Sequence, residues 1–168
     1  MSGKKRILFI AENIPTPNKN NNDIIIRTIN KISESYDVSV LYPKPFTPFG
    51  ISRIFSKYKK YDNLKSFRIQ NLDINILKFY QLPFRNIKFR IKKFVNLEGL
   101  NLNFDICHAQ FLFADGILAY RISKLLNKPY IVTLRGSDIK EIKKLNKGKF
   151  DFKLISRVLN NANKVICL

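Results

Sequence analysis

The sequence predicts a doubly wound α/β fold: a mainly parallel sheet with helices on both faces. Three observations carry that prediction. Short continuous apolar runs recur, at Ile7–Ala11, Tyr130–Leu134 and Val165–Leu168, as in parallel strands buried on both faces. Segments with apolar residues at helical spacing lie between the runs. The first strand, helix and second strand also close within residues 5–42, the β-α-β unit from which such sheets are built. The 168 residues fit a single domain over residues 1–168, long enough to bury roughly 70% of the unfolded chain's surface.

Lys5–Ala11 is the opening strand. Residues 13–22, with Pro15 and Pro17, form a loop, and Asn22 or Asp23 is placed to cap the helix that follows. In that helix Ile25, Ile29 and Ile32 recur at i, i+4, i+7 on one face. Val38–Tyr42 is the second strand, closed by Pro43 and Pro45. Residues 51–61 fit a short helix, and 65–69 and 73–80 read as strands.

Residues 84–95 fit an amphipathic helix with Phe84, Ile87, Ile91, Phe94 and Val95 on one stripe. Arg85, Lys88, Arg90, Lys92 and Lys93 fall off the stripe, and Phe89 points out among them. The stripe is most simply core packing, and the outward face is the composition an interfacial membrane contact uses.

Phe104–Ala109 is the next strand, after which Asp115-Gly116 opens a helix with Leu118, Ile122 and Leu125 on one face. Asn127-Lys128-Pro129 ends it, and Tyr130–Leu134 is a buried strand that breaks into Arg135-Gly136-Ser137-Asp138, where Ser137 or Asp138 caps a further helix. Leu154, Val158 and Leu159 are spaced for a helix, and Lys164–Leu168 is a strand. The chain stops inside that strand, so a piece of something longer is expected. Gln110 and Arg135-Gly136 follow strand ends, at the carboxyl edge where open α/β sheets bind ligands.

The formal charge is +19 and it is clustered. Residues 1–50 carry a net +3, residues 51–93 a net +10, residues 94–139 are neutral, and residues 140–164 carry a net +6. Such a field attracts phosphates, whether of nucleic acid, anionic lipid or a diphosphate-linked substrate. The alternative is that many lysines only solvate the surface. The 45% apolar fraction excludes intrinsic disorder. No apolar run approaches the ~20 residues of a membrane helix, and five apolar residues from Ile7 to Ala11 are too few for a signal-peptide core. Cys107 and Cys167 lie far apart, both on strands read as interior, and suggest free thiols in a reducing cytoplasm. With no Cys/His cluster, no metal is expected.

The segments His-Ala-Gln-Phe-Leu-Phe-Ala-Asp-Gly (108–116) and Lys-Pro-Tyr-Ile-Val-Thr-Leu-Arg-Gly-Ser-Asp-Ile (128–139) resemble the amino-terminal half of family 4 glycosyltransferases. These are retaining enzymes of the two-domain GT-B fold, each domain Rossmann-like. The opening strand with its Pro-containing loop and the closing Ala-Asn-Lys-Val-Ile-Cys-Leu (162–168) fit as well. The resemblance implies that this domain receives a glycan or lipid-linked acceptor and binds no cofactor alone. The nucleotide-sugar donor would be held by a carboxy-terminal domain absent from this chain.

The resemblance also implies a site. Arg135 stands where many relatives have histidine beside the transferred sugar. It stays protonated, so it serves as the catalytic charge that stabilises a leaving diphosphate or holds an anionic acceptor. Gln110, on the same strand face as His108 and nearer the carboxyl edge, is expected to contact ligand; mid-strand His108 reads as structural. Asp115, Gly116, Gly136, Ser137 and Asp138 are the further substrate-binding candidates, with helix capping an equal explanation for either aspartate. Asn21 and Asn22 lie in the loop where relatives carry paired glycines near the donor diphosphate. Asparagine tolerates left-handed backbone there.

The function expected is the acceptor-side half of a cell-surface glycan glycosyltransferase. It would be cytoplasmic and peripheral on the inner membrane face, with residues 85, 88–90, 92 and 93 toward anionic lipid. The competing reading is a basic nucleic-acid- or phosphate-binding module. The chain lacks the aromatic signature of RNA-recognition sheets, which disfavours nucleic acid, and it has no G-x-G-x-x-G, which disfavours a free-standing nucleotide-binding module.

Overall fold

A computed structural model describes residues 3–12, 14, 23–46, 66–69, 72–80, 102–144 and 150–168. Its strands are β1 (Arg6–Ile10), β2 (Asp37–Phe46), β3 (Ser66–Ile69), β4 (Leu72–Tyr80), β5 (Ile106–Ala109), β6 (Tyr130–Leu134) and β7 (Lys164–Cys167). The helices are α1 (Asp23–Ser33), α2 (Ile117–Leu126), α3 (Gly136–Lys144) and α4 (Phe150–Asn160), with a π-helical turn at Leu112–Gly116. The expected helices at 51–61 and 84–95, Asn21 and Asn22, and with them Arg85, Lys88, Phe89, Arg90, Lys92 and Lys93, lie outside the described residues.

The seven strands form one sheet in the order β3-β4-β2-β1-β5-β6-β7. Six of them run parallel, and β3 pairs antiparallel with β4 at one end. The order steps one way from β1 through β2 to β4, then reverses and steps from β1 to β5, β6 and β7. The reversal between β1 and β5 is the switch point of a Rossmann-like sheet, where a crevice opens beyond the strand ends.

Strand alternation builds two cores. Phe9 and Ala11 point to one face, where they meet Ile25, Ile26 and Ile29 of α1 and Val40 and Ile74. Leu8 and Ile10 point to the other, against Leu41, Cys107 and Val132. That second core is covered by Ile117, Leu118, Ala119 and Ile122 of α2 and by Ile155 and Val158 of α4. Both faces of the sheet are therefore layered by helices, as the apolar runs predict.

Three details depart from the sequence expectation. First, β2 does not stop at Pro43 but runs through Pro43 and Pro45 to Phe46, in register with Tyr80 of β4. The carbonyl of Leu41 accepts from the Ala11 N–H, so residues 41, 43 and 45 turn their backbone groups toward β1. Because β1 ends at Ile10, opposite Leu41, the missing N–H groups of both prolines face a side with no ladder to complete.

Second, Asp115-Gly116 belongs to the π-helical turn rather than to an α-helical start, and α2 is buried mainly over its first turns. Leu118 and Ile122 are buried, as are Ile117 and Ala119, but Leu125 is 67% exposed. The helix does end as expected, at Asn127 in left-handed conformation (φ 51°), with the Asn127 and Lys128 N–H groups both donating to the Ser123 carbonyl. Third, Cys107 is buried but Cys167 is exposed, because β7 is the last strand of the described sheet and is covered on neither face as the central strands are.

Candidate functional site

The polar residues singled out by sequence converge on the carboxyl ends of β1, β5 and β6, beside the switch point. The approach from β5 is set by Gln110, whose N–H donates to the Ile10 carbonyl (3.0 Å) and so ties the end of β5 to the end of β1. Gln110 is only 1% exposed. Arg135, the first residue after β6, reaches back to it: Nε donates to the Gln110 carbonyl (3.2 Å) and Nη2 to Gln110 Oε1 (3.3 Å). The guanidinium carbon also stands 5.2 Å from the Phe111 ring centroid, a cation–π contact.

Asp138 organises both loops from below. One carboxylate oxygen accepts the Arg135 N–H (2.9 Å) and the other accepts the Leu112 N–H at the start of the π-helical turn (3.2 Å). As the third residue of α3, Asp138 bonds the residue just before the helix, half of a capping box. It is 3% exposed, and burial holds its carboxyl above the usual range against the pull of these N–H donors. Its capping role is therefore realised, while Ser137 and Gly136 are exposed beside it.

Asp115 does not cap α2. Its Oδ1 accepts the Glu12 N–H just past β1 (2.9 Å), bridging the π-helical turn to the β1 end. The residue is fully buried, and among the described residues Oδ2 has no hydrogen-bond partner. Burial, reinforced by the nearby Glu12 and Asp138 charges, pushes its carboxyl well above the usual carboxylate range. Gly116 is buried too: a Cβ there would meet the Phe111 carbonyl at 3.3 Å and Val132 Cγ1 at 3.4 Å, so the missing side chain lets the turn pack on β6. Gly136, by contrast, has open space where a Cβ would stand.

His108 is held as a structural imidazole. Nε2 lies 2.8 Å from Thr133 Oγ1, and the ring packs on Phe9 with centroids 4.9 Å apart. Burial, then the Arg135 charge, lowers its pKa to about 4, so the ring is neutral at physiological pH.

Sequence reasoning passed over Glu12, Phe111 and Thr133, each of which holds one of the singled-out groups. Thr133 does carry a sequence signal, as the one aliphatic hydroxyl in an otherwise apolar and aromatic strand. Phe111 and Glu12 act through ring stacking and a backbone N–H, which residue type does not announce.

What the arrangement offers chemically is a fixed, half-buried cation at the carboxyl end of the sheet, beside an imidazole that is a weak base, its pKa lowered to about 4 and its Nε2 bonded to Thr133. That suits charge stabilisation of an oxyanion.

No family model matches the chain. Two curated proteins are similar to it. One is TuaC of Bacillus subtilis (strain 168), named "Putative teichuronic acid biosynthesis glycosyltransferase", 25% identical over 174 residues that cover 97% of this chain and 44% of TuaC. The other is MJ1178 of Methanocaldococcus jannaschii, named "Uncharacterized glycosyltransferase", 28% identical over 114 residues that cover 64% of this chain and 30% of that protein. The chain thus spans less than half the length of either relative. Among the described residues, no helix is long and apolar enough to cross a membrane. Over nearly its whole length the chain is thus similar to a protein named as a glycosyltransferase, and its sheet is Rossmann-like.

Proposed function

We propose that the chain is the acceptor-side half of a retaining, GT-B, family 4 glycosyltransferase that builds a cell-surface polysaccharide. The observation that carries this reading is the likeness to TuaC, a protein named for teichuronic acid biosynthesis, over 97% of this chain. The strand-end cluster supports it: Arg135 offers charge to an oxyanion where a Rossmann-like sheet binds ligands, and retaining transfer of this type needs no protein base. The donor nucleotide-sugar would be held by a second domain, and the acceptor by this one. The net +10 of residues 51–93 supports docking at an anionic membrane surface, with Lys88, Arg90, Lys92 and Lys93 contributing.

The test is to express the parent reading frame beside residues 1–168 and follow nucleoside diphosphate release from a nucleotide-sugar panel, reading the product anomer by NMR. Turnover by the longer protein with retained configuration, and none by residues 1–168 alone, is the expected result. Turnover by residues 1–168 alone, or an inert longer protein, overturns the half-enzyme reading. In the same preparations, replacing those four cations by Gln should weaken co-sedimentation with anionic vesicles. Unchanged sedimentation removes the membrane role.

A further inference from the structure

We propose that Gln110 is a positioning residue that turns one edge of the Arg135 guanidinium toward a substrate oxyanion, without itself touching substrate. The inference rests on the reading of Arg135 as the oxyanion-binding charge. A guanidinium presents its five N–H groups in a planar fork with two edges able to grip a pair of oxygens, one side-on through Nε and Nη2, the other end-on through Nη1 and Nη2. In this chain the side-on edge is already occupied. Nε and Nη2 donate to the two oxygens of a single residue, the Gln110 carbonyl and Oε1, at 3.2 and 3.3 Å.

Gln110 is fit to serve as a fixed anchor. Its backbone N–H is bonded to Ile10 and its side chain is buried, so both acceptors are held by the sheet rather than by a mobile loop. The root of Arg135 is held independently, by Asp138 on its N–H, and the Phe111 ring lies against the guanidinium face. With root, face and one edge fixed, the free donors lie on the end-on edge, and among the described residues no acceptor meets Nη1. Arg135 is half-buried, so water screens its charge less than that of a fully exposed arginine.

The same geometry separates Gln110 from the ligand. Its Oε1 is taken by Arg135, and the residue is only 1% exposed, so it meets an anion bound at the end-on edge through the guanidinium rather than directly. The oxygens that fit the end-on edge are those of a phosphate or a carboxylate. They can come from a diphosphate, from a phosphorylated acceptor or from an acidic sugar.

Inorganic pyrophosphate, methyl phosphate and glucuronate, titrated separately into residues 1–168 and followed at the Arg135 side-chain resonances, distinguish these sources by which anion binds tightest. Each bound anion should shift the Nη signals and leave Nε–H nearly still, because the side-on edge stays on Gln110. Equal movement of Nε–H means that the anion displaces Gln110, and overturns the proposal without any substitution being made. Gln110→Met, which keeps shape but removes Oε1, should weaken binding of the preferred anion about fivefold to tenfold, the cost of one hydrogen bond. In an Arg135→Lys background the same substitution should change nothing. If it weakens binding there too, or leaves the parent affinity intact, Gln110 does not act through Arg135. If Arg135→Lys alone keeps the parent affinity, or no anion perturbs Arg135, the underlying reading of Arg135 fails instead.

Discussion

At the amino-terminal edge of the sheet, Asp105 stands partly exposed just before β5, takes the Arg6 N–H at 2.8 Å and the Arg6 guanidinium at 3.1 Å, and is fully partnered. At the carboxyl edge of the same strands, Asp115 is fully buried, holds the Glu12 N–H and, among the described residues, leaves its second oxygen unpaired. The hydrogen bonds from Arg6 hold Asp105 below the usual carboxylate range, whereas burial drives Asp115 above it. One residue type shifts both ways on two ends of one sheet. The amino-terminal edge uses charge as a solvated clasp. The carboxyl edge keeps polar groups out of water at a free-energy cost that packing alone would not select, and this is where the crevice of the fold lies.

The contrast breaks most severely at Asp138. Asp138→Ala strands two buried backbone donors, those of Leu112 and Arg135, so a loss of about 2–4 kcal/mol is expected in urea unfolding. A loss under about 1 kcal/mol would mean that the two loops are held by something other than this carboxylate.

The next largest effect is a pair of opposed pH dependences inside the carboxyl-edge cluster. His108 has its pKa lowered to about 4 against about 6.5 unfolded, so its contribution is present above pH 6.5 and drains away as pH falls toward 4. The size is on the order of 2–3 kcal/mol across that window. Asp115 has its pKa raised, so its contribution is full below the unfolded value near 3.8 and is lost as pH rises. Relative to the parent, Asp115→Asn should steepen the gain of stability between about pH 4 and pH 6.5, and His108→Gln should flatten or invert it. Parallel curves for parent and both variants would show that neither group feels its burial.

The smallest change belongs to the amino-terminal clasp. Asp105→Asn should cost little, with the cost present above the unfolded carboxylate pKa, vanishing as pH falls through the depressed native value, and shrinking with added salt. A loss rivalling that of Asp138→Ala would erase the distinction between the two edges.

Much of this was legible in the order of residues. The apolar runs of β1 and β6, the Ile25/Ile29 face of α1 and the stop at Asn127-Lys128-Pro129 follow from spacing, because burial on both faces and helical periodicity are local properties of a chain. The run at Val165–Leu168, by contrast, lies on an exposed end strand. His108 as a structural imidazole and the gathering of Gln110 and Arg135 at one sheet edge were equally readable, since each follows the last residue of a strand.

Other features had no local signature. The prolines of β2 read as a stop, and only the early end of β1 on the neighbouring strand makes them permissible within a ladder. Asp115 reads as a helix cap, and only the approach of β1 from about a hundred residues away puts the Glu12 N–H under its carboxylate. Leu125 matches the helical stripe, but it lies in the last turn of α2, where the helix has left the core that buries Ile117, Leu118, Ala119 and Ile122. The sequence by itself determined which segments become strands and helices and which residues reach the carboxyl edge. Apart from the local Asp138 cap on Arg135, tertiary structure decided which oxygens there meet which donors, because those pairs join residues that are neighbours only after the sheet has formed.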